Sequence, residues 1–386
     1  MSADQGKLFF PSSHVPDLWR YLKARADGGS VIVMYGMGNG ADKILAVCDE
    51  KGIPVSDFFA SDGFVRGHSF HGKTVLSYSD VKAKYGTEGL IILLSFASSR
   101  PEVLENIQRI ASECELYAPD VPVFGNNLFD GDFYQKNLDL ITAARELLCD
   151  EQSKKVFDDI IDFKLTGRID ILRRTESDTV AALSEILNCQ SFRHTADLGA
   201  YNGDSIRELL SVAKNVTDII AFEPDSRNFR KLCEYASNTD GVNIHAINAG
   251  AWSERGVLGF DDSGNRNANL AGNTSDVLKD GVKKTKIRQI SVDTLDARAE
   301  ELGAFGLDYV KYDVEGSERE ALLGSEQIIK STAPALLVSL YHRSEDIFAL
   351  PLLLQKMQPR YRFFLRRAAG IPAWDINLYA VADNNG

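Results

Sequence analysis

Apolar positions recur along this chain with two spacings, and the two spacings alternate. Residues 30–35 form a short β-branched run that ends in Gly36-Met37-Gly38-Asn39-Gly40. Residues 41–51 follow with Ile44, Leu45 and Val47 on one helical face. Residues 54–60 read as a second strand closed by Ser61-Asp62-Gly63. Residues 90–97 read as a third, apolar throughout like a strand buried on both faces. Pro101 then opens a helix at its first turn, where a missing N–H does no harm. Residues 129–166 are helix-like without a strand signal, and 170–189 keep that character.

The alternation then begins again. Residues 195–198, 218–222, 243–248, 308–312 and 335–340 predict five strands. Asp204 or Ser205 caps a helix to about residue 213, and 228–236 predict another. Residues 361–366 and 376–381 close the series as two strands with no helix between them. The pattern predicts an α/β protein with two Rossmann-like domains. The first covers residues 1–149, and a helical connector, 150–190, follows it. The second covers 191–386 and ends in an antiparallel hairpin.

Composition narrows the partners. The 386 residues suffice for two domains, and 44% hydrophobic with 25% charged is the balance of a globular protein. The net charge of -12, with no basic run of five, disfavours a nucleic acid partner. The five cysteines contain no C-x-x-C pair, so neither a zinc knuckle nor a disulfide framework is expected. Cys48, Cys149 and Cys189 sit among apolar helical residues and read as buried structural thiols. The N-terminal residues lack a signal pattern, and the strongest apolar run, near 90–97, is too short to span a bilayer. A cytoplasmic protein without a membrane span is expected.

The chemistry concentrates in Asp197-Leu198-Gly199-Ala200-Tyr201-Asn202-Gly203-Asp204, a strand end followed by a helix start. Gly199 and Gly203 lack a Cβ, so the backbone can turn sharply and approach a ligand. A dinucleotide loop places a pyrophosphate at the helix N-terminus, but acids flank this loop on both sides and would repel it. Asp197 can accept from an ammonium. One strand later, Glu223 stands where a carboxylate accepts from two ribose hydroxyls, with Asp225 too far round the turn. These features suit S-adenosylmethionine, which carries an ammonium and a ribose and no phosphate.

Further blocks carry a family resemblance: Phe222-Glu223-Pro224-Asp225, Asn248-Ala249-Gly250-Ala251-Trp252, Val292-Asp293-Thr294-Leu295-Asp296, Lys311-Tyr312-Asp313-Val314-Glu315-Gly316-Ser317-Glu318 and Tyr341-His342. From about residue 150 the chain resembles the FkbM family of methyltransferases, the Lys311–Glu318 block being the most family-specific. The resemblance implies a class I methyltransferase sheet and methyl transfer from S-adenosylmethionine. The acceptor it implies is a hydroxyl of a sugar, glycan or related small metabolite. It places cofactor contacts at Asp197, Gly199, Ala200, Gly203, Glu223, Asn248 and Ala249. Arg366-Arg367 departs from the Arg-His pair of some relatives. N-methylation would share the same cofactor site.

Asp313 and His342 follow the fourth and fifth predicted strands and are the acid–base candidates, His342 with an ordinary histidine near the right strength. Lys311 reads as a salt-bridge partner. Asp313 and Glu315 could hold a divalent ion, but two acids two apart are too few for a metal to be assigned. In the first half, Gly36 to Gly40 is spaced G-x-G-x-G, not G-x-G-x-x-G. With Asp62 at the next strand end, it reads as a nucleotide loop or a tight packing turn. The alternative to an enzyme is therefore a nucleotide- or nucleotide-sugar-binding module with a degenerate methyltransferase half. His68-Ser69-Phe70-His71 reads as a surface loop, and residues 260–286 as an acceptor lid or a disordered insertion.

Overall fold

The first predicted alternation folds into a parallel sheet and the second into a mainly parallel one. The computed structural model describes residues 16–62, 65, 67–261, 270–271, 287–303 and 306–383 of the chain. The first sheet contains β1 (Val31–Tyr35), β2 (Asp57–Ala60), β3 (Leu76–Ser77), β4 (Leu90–Leu94) and β5 (Glu115–Tyr117). It is wholly parallel in the order β3-β2-β1-β4-β5. β4 is apolar at every position because helices cover both faces. Ile91 and Leu93 meet helix Asn39–Glu50, while Leu90, Ile92 and Leu94 meet Pro101–Glu113.

The second sheet contains β6 (His194–Leu198), β7 (Asp218–Phe222), β8 (Asn243–Ile247), β9 (Tyr309–Tyr312), β10 (Ala335–Ser339), β11 (Tyr361–Arg367) and β12 (Ile376–Ala382). Its order is β8-β7-β6-β9-β10-β12-β11. The first five run parallel, and β12 is antiparallel to both its neighbours. This is the class I methyltransferase sheet with its terminal hairpin. Strand order reverses at β6, where Leu198 is level with Phe222 on one side and Tyr312 on the other. Ligands of open α/β sheets bind at such a reversal, beyond the carboxyl ends of the strands.

Several elements depart from the sequence reading. Helix Asp204–Val212 is preceded by Gly203 at φ 83°, and neither Asp204 nor Ser205 caps it. The Asp204 carboxylate accepts the adjacent Ser205 N–H, and the Ser205 hydroxyl turns to Asp197. Helix Asp346–Met357, between β10 and β11, was not predicted. It is apolar on most sides, packs against helix Leu138–Glu146, and carries Pro351 inside it, so its periodicity is hidden. Gly250–Ala251, Gly256–Asp261, Leu270–Ala271 and Ile287–Asp293 form a separate four-stranded sheet between β8 and β9. Most of the 260–286 segment read as a lid lies outside the described residues.

The connector is tied to both sheets. Asp150 caps helix Glu151–Thr166 by accepting Ser153 N–H at 2.6 Å, and Gly167 ends it at φ 63°. Ser153 Oγ accepts Leu365 N–H of β11 at 2.8 Å, and Arg168 bridges to Tyr117 of β5. The Arg366-Arg367 pair serves this joint. Arg366 donates to Asp150 at 2.8 Å, and buried Arg367 donates to Leu172 O and Thr175 Oγ1, both at 3.1 Å. Cys48 and Cys189 are buried as expected, but Cys149 is exposed where the chain leaves one helix for the next. No helix among the described residues is long and apolar enough to cross a membrane.

Candidate functional site

Four chain segments converge at the carboxyl edge of β6, β7, β9 and β10. The first is the loop after β6. Its glycines are needed for the turn, Gly199 at φ 92° and Gly203 at φ 83°. The space their missing Cβ atoms leave is taken up by protein. A Cβ on Gly199 would strike the Asp313 carbonyl, and one on Gly203 the Tyr235 ring. The two glycines therefore dock the loop onto its neighbours, rather than only opening it to a ligand. Ala200 is buried and its N–H is spent on Phe222 O at 2.8 Å.

Asp197 is 5% exposed. Its Oδ2 accepts the Ser205 hydroxyl at 2.5 Å, while Oδ1 is buried without a hydrogen bond. Lys311 stands between two acids, 3.9 Å from Asp197 Oδ1 and 3.0 Å from Asp313 Oδ2. Burial pushes the Asp197 carboxyl above the usual range, and Lys311 offsets part of the rise.

Glu223, 6% exposed at the end of β7, is pushed by burial up to about 8, against the Asp225 N–H that Oε1 accepts at 2.7 Å. Asp225 itself caps helix Ser226–Ser237, accepting from Arg227 and Asn228 N–H at 2.9 Å, so it has no part in the edge. Asn248 donates to Glu223 O at 2.9 Å and fixes that turn, and Ala249 is buried beside it.

The other side of the edge is a dense cluster of charge. Glu315 lies at φ 52°, a backbone state unusual for a side-chain-bearing residue, and Glu318 begins helix Glu318–Leu323. Glu318 Oε1 accepts Val314 N–H at 3.0 Å and Gly316 N–H at 3.4 Å. His342 is fully buried, with Nδ1 2.8 Å from Glu318 Oε1. Its Nε2 is 3.3 Å from Glu315 Oε2 and 3.8 Å from Asp313 Oδ1. Burial opposes charge on the ring, but Glu318 and Glu315 outweigh it and lift His342 well above an ordinary histidine. Burial likewise opposes charge on Asp313, yet Lys311 and then His342 hold its carboxyl down at about 2. The expectation of a histidine of ordinary strength at 342 is thus corrected by its three acidic neighbours.

The first half of the chain reaches this cluster. Phe124 lies 5.9 Å from the His342 ring, its N–H bonds His342 O at 2.9 Å, and its ring fills the space over Gly316. Tyr341 donates to Asp313 Oδ1 at 3.4 Å and stacks on Trp374. Trp374 in turn lines a cleft of ≈ 200 Å³ with Lys43, Phe96, Pro122 and Pro372. The sequence reading missed Glu318 as a site residue, although it stands in the quoted block. It also missed Phe124, for which the sequence carries no signal.

The first half's own candidates are engaged elsewhere. Asp62 accepts from Ser79 N–H at 3.2 Å and its hydroxyl at 3.1 Å. A Cβ on Gly40 would strike Ser95 O, so this glycine lets helix and strand pack closely. His71 pairs with Asp42 at 2.7 Å, both about half exposed.

Residues 197–367 match the family model described as the methyltransferase FkbM domain. This part of the chain is similar to the FkbM methyltransferases. The match begins at Asp197 and ends at Arg367, so it takes in every acid of the edge. Among solved structures, a methyltransferase FkbM from Methylobacillus flagellatus KT is similar at 20% identity and TM-score 0.67. The likeness covers 95% of this chain and 94% of that one, so both sheets share its fold. Aeropyrum pernix fibrillarin, solved with natively bound S-adenosyl-L-methionine, is similar over 53% of this chain and 73% of its own, at 13% identity and TM-score 0.34. An rRNA methylase from Streptococcus thermophilus is similar over 53% and 93%, at 13% identity and TM-score 0.33. No curated protein matches the chain. The match marks this region as a methyltransferase domain, an enzyme.

Proposed function

We propose that the FkbM domain moves the methyl group of S-adenosylmethionine onto a hydroxyl of a sugar, glycan or related small metabolite. The observation that carries the cofactor reading is the pair of buried carboxylates on adjacent strands, Asp197 near the end of β6 and Glu223 just past the end of β7. Asp197 Oδ1 is a buried acceptor without a donor, and it suits the cofactor's ammonium. Glu223 keeps Oε2 for the ribose hydroxyls while Oε1 holds the turn. When bound, the cofactor supplies an electrophilic methyl group on a sulfonium.

The acceptor side is proposed on the same edge. Asp313, ionised throughout the neutral range, orients the acceptor hydroxyl, and His342 sits behind it as the group that holds Asp313 and Glu315 in place. Phe124 and Tyr341 exclude water there. The cleft beside Trp374 offers aromatic and proline faces for a ring, as a sugar or similar metabolite requires. A net charge of -12 argues against a nucleic acid acceptor, and five unpaired cysteines suit a reducing cytoplasm. The reading of the first half as a nucleotide module finds less support, because Asp62 and Gly40 both serve internal packing.

Calorimetry with S-adenosylhomocysteine tests the cofactor reading. Glu223→Ala should weaken binding at least roughly tenfold, the loss of a charge-assisted contact. Unchanged affinity would remove Glu223 from the site.

A further inference from the structure

We infer that Asp313, Glu318 and His342 form a binding site for one divalent cation. Asp313 and His342 lie in the loops after β9 and β10, and Glu318 is the first residue of the helix that follows β9. Each offers one ligand atom, and the three atoms lie within 4.8 Å of one another. Ligands around a divalent ion with bonds of about 2.0–2.3 Å stand about 3–4.5 Å apart. The cluster is therefore close to a ligand sphere without any movement of the backbone.

Two further observations point into the same space. Both ring nitrogens of the fully buried His342 lie within ion-pairing distance of carboxylates, Nδ1 2.8 Å from Glu318 and Nε2 3.3 Å from Glu315, yet neither makes a hydrogen bond. Glu318 Oε1 is spent on two backbone N–H groups, yet Oε2 is buried and unpartnered. Buried polar atoms are nearly always satisfied, so an imidazole and a carboxylate left open side by side mark a missing partner. The charges agree. Asp313, Glu315 and Glu318 crowd one imidazole, and among the described residues Lys311 is the one lysine or arginine within ion-pairing distance of any of the three. A dication balances that excess.

The donor set is one nitrogen with carboxylate oxygens, which suits Mn²⁺ and its neighbours better than a thiolate-seeking ion. Glu315, 3.3 Å from His342 Nε2, is near enough to join the sphere or to bind a coordinated water. The ion's role rests on the methyl-transfer reading. Beside Asp313 it would hold the acceptor oxygen and ease transfer of its proton to the Glu315 carboxylate. The presence of the ion does not depend on that reading.

The full-length protein, stripped with a chelator, is titrated with Mn²⁺ by calorimetry and followed by electron paramagnetic resonance. The expected result is one Mn²⁺ per chain, with affinity reduced at least roughly tenfold in Glu318→Gln and in Asp313→Asn. Glu318 also anchors its loop, so a melting curve accompanies each variant. If Glu318→Gln fails to fold, partly exposed Asp313 carries the test alone. No stoichiometric binding at millimolar Mn²⁺, or binding undiminished in the folded variants, overturns the site. S-adenosylhomocysteine is titrated into the same wild-type sample. Its binding without Mn²⁺ binding overturns the cation site and leaves the methyl-transfer reading standing. Mn²⁺ binding without it does the reverse.

Discussion

Glu223 owes its character to a conflict between place and charge. Burial at the end of β7 lifts it to about 8, so in the free protein it carries a proton at neutral pH. Two ribose hydroxyls are donors and favour the ionised form. Binding below pH 8 must therefore release that proton, and affinity rises with pH until it levels off above about 8. Calorimetry of S-adenosylhomocysteine from pH 6 to 9 in buffers of different ionisation enthalpy reads both effects. The expected outcome is an affinity gain of up to about tenfold per pH unit on the low side. A flat profile with no proton release would mean that Glu223 does not face the ribose. At this scale the acids were legible from the sequence, because a carboxylate at a strand end has a fixed place. Their strengths were not, because those depend on neighbours such as Lys311, Glu315 and Glu318 that meet only in the fold.

At the scale of elements, the loop after β6 is pinned from outside. Gly199 combines φ 92° with a missing Cβ that lies against the Asp313 carbonyl. Gly199→Ala should lower stability by upwards of about 2 kcal/mol, read from urea unfolding, because the strain and the overlap add. A loss below about 0.5 kcal/mol would mean that the loop relaxes freely. Elements with clean periodicity, such as β1, β4 and β6, stood out in the sequence. Helix Asp346–Met357 did not, since burial against Leu138–Glu146 removed its polar face and Pro351 its helical signature. β5 did not either, with only Glu115–Tyr117 to announce it.

The whole molecule is more joined than its two sheets suggest. Helix Leu138–Glu146 packs on Asp346–Met357, the connector bonds to both sheets, and one apolar core runs from Val33 to Ala380. A fragment of residues 150–386 should therefore melt at least several degrees below the full chain, or aggregate, through the apolar face it exposes. A soluble fragment with unchanged melting temperature and unchanged S-adenosylhomocysteine affinity would show the halves to be independent. The division into two α/β units was readable from the alternating pattern. Their mutual dependence was not, because it lies in contacts between residues some two hundred positions apart, such as Phe124 with His342.

That Phe124 contact bears on how acceptor preference can be inherited or transplanted. A residue of the first half lies on Gly316 and His342, at the wall where the acceptor would sit. Grafting the second half of a relative onto this first half would bring two surfaces together that had never been fitted to each other. Chimeras cut at the connector are expected to lose turnover even where each parent is active. Chimeras that carry residues 119–125 along with the second half should keep it.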